Sequence, residues 1–118
     1  MSEMIDGRID VNTDWLREVR RIYLSGANRK LAELERAILG LEMNPASHSH
    51  ERRLRRLLHN LIGSGGSYGF PDVSETARQM TECLKRRRED LAPIGPATVA
   101  DLRARLDHLR QVFEKARA

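Results

Sequence analysis

The chain has 118 residues, an apolar fraction of 40%, aromatics at only 4% and a formal charge of +4. That length holds one hydrophobic core and leaves little room for a second, so residues 1–118 are expected to form a single domain. The charge excess is mild, with acidic residues interleaved among basic ones, which points to an acidic protein surface rather than a polyanion groove. Cys83 is the sole cysteine and excludes an internal disulfide. No apolar stretch reaches membrane length and the N-terminus lacks a signal-peptide core, so a cytoplasmic protein without membrane contact is expected.

Leucine, arginine and glutamate dominate, and no run alternates like a strand, so the elements are helical. Residues 1–11 read as a flexible lead-in. Thr13 can cap a first helix carrying Trp15, Leu16, Val19, Ile22 and Tyr23 at helical spacing, interrupted by Ser25-Gly26. A second helix has Leu31, Leu34, Ile38 and Leu41 on one stripe and ends at Asn44-Pro45. Ser47 or Ser49 opens a third, bearing Leu54, Leu57, Leu58 and Leu61. A fourth starts near Pro71, a residue suited to the first helical position, and carries Val73, Ala77, Met80 and Leu84. After the break from Pro93 to Pro96, Thr98 with Asp101 forms a capping box for a last helix striped by Val99, Leu102, Leu106, Leu109 and Phe113. The expected fold is all-α: an antiparallel four-helix bundle with an additional short N-terminal helix.

The segment His59-Asn-Leu-Ile-Gly-Ser-Gly-Gly-Ser-Tyr-Gly-Phe-Pro71 stands apart. At about 100° per residue, His59 lies roughly 150° from the centre of the leucine stripe, and so faces solvent. Arg52, Arg55 and Arg56 fall on its side one to two turns back, while Gly63 and Gly66 fall one and two turns ahead. Glycine inside a helix costs about 1 kcal/mol relative to alanine, so Gly63, Gly65 and Gly66 together would cost roughly 3 kcal/mol. Either the helix stops at Gly63 as a C-terminal cap, or something requires the missing side chains. Periodicity alone favours the cap, and for an isolated histidine a solvated surface residue is the ordinary reading.

These residues resemble the signature of histidine-containing phosphotransfer (HPt) domains of two-component phosphorelays: His59, Leu61, Gly63, the small residues Ser64-Gly65-Gly66, then Tyr68 and Gly69. The resemblance implies that His59 is the phosphorylated residue and that the glycine stretch continues its helix. It also implies that Gly63 and Gly66, with Ser64 beside them, leave room for a partner's phosphoaspartate pocket. Two positions depart from the family's pattern. Ile62 stands where many members place a lysine that steadies the phosphoryl group. Thr81, following Met80, stands where many have a glutamine or glutamate that orients the imidazole. A threonine hydroxyl has shorter reach, though it can still hydrogen-bond a ring nitrogen.

A neutral imidazole can accept a phosphoryl group from an aspartyl phosphate and pass it to another aspartate. Such transfer depends on in-line positioning and charge neutralisation. The implied partners are a receiver domain of a response regulator or a hybrid histidine kinase. Mg2+ would sit on the partner's receiver and no cofactor or metal on this chain, and a monomer is expected. Arg52, Arg55 and Arg56 can attract the acidic pocket. The expected role is a phosphorelay carrier rather than an autonomous catalyst. The alternative is an HPt-like adaptor or inhibitor that binds a receiver or kinase without turnover.

Other features read blandly. His48-Ser-His50 lacks the acidic or cysteine partners of a metal site. His108 is a boundary residue of the last helix and Cys83 a packing residue. The Lys85-Arg86-Arg87-Arg88 run near a helix end suits the macrodipole. Glu89-Asp90 follows it directly, and with so few aromatics no specific nucleic-acid binding is expected.

Overall fold

The computed structural model describes residues 2–88 and 93–118, with side chains for 14–85 and 93–118. Among the described residues five helices follow one another: α1 (Ser2–Ser25), α2 (Ala27–Met43), α3 (His48–Ser67), α4 (Pro71–Arg88) and α5 (Pro96–Arg117). The fold is the expected all-α bundle. Helices α2 to α5 form a ring in which each packs on the next and α5 closes on α2, leaving α3 diagonal to α5.

The apolar stripes of α2 to α5 supply the core. Leu34, Ile38, Leu41, Leu54, Leu58, Met80, Leu84, Leu102, Leu106, Leu109 and Phe113 are all buried, and burial of such side chains is worth about 1.5–3 kcal/mol each. Leu57 packs against this core while staying partly exposed, and Cys83 lies within it. Antiparallel packing of α2 and α5 shows in their polar pairs: Asn28 meets Arg117, Glu35 meets Arg103 and Arg110, and Glu42 meets Arg103. Between α3 and α4 the same sense holds, with Gly65 against Ser74 at one end and Arg55 against Leu84 at the other.

The helix limits confirm some sequence signals and correct others. Ser47 is the N-cap of α3, its hydroxyl accepting from the His50 amide at 3.3 Å. Pro71 opens α4, and Asn44 caps α2 at its C-terminal end. Thr98 and Asp101 form no capping box. Helix α5 begins earlier, with Gly95 at the N-cap and Pro96 in its first turn, which places Thr98 inside the helix. His108 is exposed rather than at a boundary. The ring of His50 packs so closely over Gly40 that a Cβ there would lie 2.6 Å from its Cγ, which accounts for a glycine inside α2. His48 is exposed, and among the described residues no cluster of three or more His, Cys, Asp or Glu can hold a metal.

The first helix differs most from expectation. It is 24 residues long rather than short, and Thr13 lies within it rather than at its N-cap. The expected flexible lead-in falls on residues whose side chains lie outside the described set, as do Arg86 to Arg88 and the whole of Glu89-Asp90. Trp15, Leu16 and Ile22 do not join the core but are 64%, 44% and 57% exposed. Tyr23, roughly 100° round the wheel from Ile22, is the residue that turns inward. Among the described residues no helix is long and apolar enough to cross a membrane.

Candidate functional site

His59 stands in the middle of α3, exposed to solvent, on the side opposite the buried Leu54, Leu58 and Leu61. It makes no hydrogen bond or ion pair with another described residue. The helix does not stop at Gly63. It continues to Ser67, so Gly63 and Gly66 extend the His59 face by one and two turns. A Cβ built on either would meet no atom within 4 Å. The surface ahead of the imidazole is therefore bare backbone.

The actual helix stop is Gly69. Its φ of +84° places it in the left-handed region, the Phe70 amide donates to the Gly65 carbonyl at 2.7 Å, and the Gly69 amide donates to the Gly66 carbonyl at 3.3 Å. These two bonds are the Schellman pattern, with glycine just past the cap and an apolar residue following. Periodicity alone would place the stop six residues earlier, because Gly63 also satisfies that signal, whereas the family resemblance implied the continuation to Ser67 seen here.

Gly65 serves a different purpose from its neighbours. A Cβ there would lie 2.8 Å from the Ser74 amide nitrogen and 3.1 Å from the Phe70 carbonyl oxygen, so the missing side chain lets α4 approach α3. The Ser74 hydroxyl completes the join by donating to the Ile62 carbonyl at 2.8 Å. Neither Ser74 nor the packing role of Gly65 stood out in the sequence. A small residue facing a small residue across two helices shows only once their register is known.

The other candidates divide. Arg52 and Arg56 are exposed on the His59 side. Arg55 is engaged within the fold, its Nε 3.1 Å from Glu51 Oε2 and its Nη2 donating to the Leu84 carbonyl at 3.2 Å. Ile62 is half-buried against the core. Ser64 turns away from the histidine face, its hydroxyl sharing a 2.9 Å hydrogen bond with the Tyr23 hydroxyl. The Thr81 hydroxyl donates to the Ala77 carbonyl of its own helix at 3.0 Å, and so is not spent on His59. Burial pushes the Tyr23 phenol up in pKa, against the opposing pull of the Ser64 hydrogen bond, so the group stays a neutral phenol. Lys30, its Nζ 3.8 Å from the centre of the Tyr23 ring, is lowered by burial.

A family model described as the Hpt domain matches residues 18–112, a span that takes in all of α2, α3 and α4. The fold is similar to that of the CheA phosphotransferase domain from Thermotoga maritima, with a TM-score of 0.75 at 22% identity over 86% of this chain and 96% of that one. Comparison with curated proteins finds no match.

Proposed function

The chain belongs to the Hpt domain family, and from that premise we propose that it is a cytoplasmic phosphorelay carrier whose His59 exchanges a phosphoryl group with the aspartate of a receiver domain. The observation that carries this reading is the conjunction of an exposed imidazole with two glycines ahead of it that the fold itself does not need.

In the forward step a ring nitrogen of His59 attacks the phosphorus of an aspartyl phosphate. The N–P bond forms as the acyl phosphate's P–O bond breaks, and the partner's carboxylate leaves. The return step reverses this onto a second aspartate. Little acid–base chemistry is required; alignment and charge neutralisation supply the rate. The receiver would bring the acidic pocket and its Mg2+, while Arg52 and Arg56 would offset part of the phosphoryl charge from this side. The exposed strip over Gly63 and Gly66 lets the rim of the pocket close on the imidazole. His59 is consumed and regenerated in the relay, so the chain is a carrier rather than a catalyst.

The positions of Ile62 and Thr81 favour a second reading: an adaptor that binds a receiver or kinase without efficient turnover. Ile62 offers no cation, and the Thr81 hydroxyl proton is committed to Ala77. The deciding experiment incubates the chain with receiver domains charged by acetyl phosphate and with histidine kinases supplied with ATP. Acid-labile label on His59, lost in His59→Gln, is the expected result. No label on the wild type, or undiminished label on the variant, overturns the carrier reading. Receiver binding without label, unaffected by His59→Ala, establishes the adaptor.

A further inference from the structure

Helix α1 packs lightly against α2 and α5, yet two of its side chains, Arg20 and Tyr23, reach the glycine-rich end of the helix that carries His59. The Arg20 Nε donates to the Tyr68 carbonyl at 3.0 Å, just past the end of α3. The Tyr23 ring stacks on Tyr68 at 4.7 Å and on Phe70 at 5.5 Å between centroids, and its hydroxyl holds Ser64 at 2.9 Å. The Arg20 guanidinium also fills the space beside Gly69, where a Cβ would lie 2.6 Å from its Nη2.

We infer that Arg20 and Tyr23 are positioning residues for transfer at His59, holding residues 64–69 of α3 and its cap in helical register from outside the four-helix ring. The physical need is plain. Gly63, Gly65 and Gly66 give this stretch weak intrinsic helicity, and two of the three present their bare side to solvent, where packing cannot compensate. Ser74 and the Schellman bonds hold the side facing α4. The Arg20 and Tyr23 contacts hold the side facing α1. A docking partner then meets a rigid bare surface instead of one it must order on binding.

The inference rests on the carrier reading, and two independent measurements on the full chain separate them. Amide hydrogen exchange is followed by NMR in wild type, Tyr23→Phe, Arg20→Gln and the double variant. Tyr23→Phe keeps the ring stack and removes only the Ser64 bond. In the double variant, exchange at residues 64–68 should accelerate about tenfold, the worth of a hydrogen bond or two, while the amides of Leu106 and Leu109 stay within about twofold of wild type. In parallel, His59 is labelled by phosphoramidate, which needs no docking surface, and by the receiver that transfers fastest to wild type. Labelling by phosphoramidate should be unchanged and receiver transfer slower, with Arg20→Lys, which keeps a donor for the Tyr68 carbonyl, restoring it. Unchanged exchange at 64–68, uniform acceleration throughout the chain, or equal slowing with both donors overturns the inference. If neither donor labels the wild type, the carrier reading fails while the exchange data still decide whether α1 braces α3.

Discussion

Four glycines stand within the seven residues from Gly63 to Gly69, and they fall into two groups. Gly65 and Gly69 serve the fold. One allows α4 to approach to within contact of the helix backbone, and the other adopts a left-handed φ of +84° with the Arg20 side chain against it. Gly63 and Gly66 face solvent with nothing within 4 Å of a built Cβ, one and two turns beyond His59. The first pair is explained by folding alone. The second costs about 1 kcal/mol per residue relative to alanine and returns nothing to the fold, a cost that the proposed carrier role would explain through the partner docking there. Composition does not separate the two pairs; only their angular position on α3 does.

The difference should be largest where it concerns stability. Gly65→Ala places a methyl 2.8 Å from the Ser74 amide nitrogen, and because that neighbour is backbone, the helices must part. A loss of about 2 kcal/mol is expected in urea unfolding, within the usual range for overpacking. Gly69→Ala should lose about 1–2 kcal/mol through the left-handed conformation. Gly65→Ala at wild-type stability would show that the α3–α4 contact is looser than the structure has it, and Gly69→Ala at wild-type stability would show that the cap after α3 is not left-handed.

On the solvent side the sign should invert. Gly63→Ala and Gly66→Ala are each expected to raise stability by up to about 1 kcal/mol through helix propensity while slowing phosphoryl exchange with a receiver. A larger residue such as Gly63→Gln should slow it further. Direct labelling of His59 by phosphoramidate should be indifferent to all three. A gain in stability with full receiver transfer would remove the docking argument and leave these two glycines without an explanation.

Much of this was legible in the residues. The four apolar stripes of α2 to α5, the Ser47 cap, the Pro71 start and the exposure of His59 all follow from period 3.6 and capping chemistry, because a bundle core selects for just those patterns. What escaped has a common cause: it depends on register between helices. The Gly65–Ser74 approach, the His50 ring over Gly40 and the Arg55 bond to Leu84 join residues that no local pattern relates. The first helix misled for a different reason. Its apolar spacing is genuine, but the four-helix ring is already closed without it, so Trp15 and Ile22 stay at the surface while Tyr23 turns inward and Leu24 packs partly against the core.

The α2–α5 seam provides the control for the comparison, because Glu35 of α2 pairs there with arginines of α5, the helix diagonal to α3, and those charges should affect folding alone. The Glu35 carboxyl is held below its ordinary range first by the hydrogen bond from Arg103, against an opposing burial cost, with the charges of Arg103 and Arg110 adding to the lowering. A carboxyl with a lower pKa folded than unfolded stabilises the protein above its unfolded value and loses that contribution as pH falls through the folded one. The window is therefore acidic, at and below the ordinary carboxylate value of 4.5. Since the Glu35 side chain is about a third exposed, solvent screening limits the effect to less than about 1 kcal/mol. Glu35→Gln should accordingly lose a fraction of a kcal/mol near neutral pH, less at high salt, and converge on wild type in acid-urea unfolding. Its receiver transfer should match wild type throughout. Slower transfer in Glu35→Gln at unchanged stability would mean that the α2–α5 seam also reports to His59, and the division between folding glycines and docking glycines would have to be redrawn across the whole bundle.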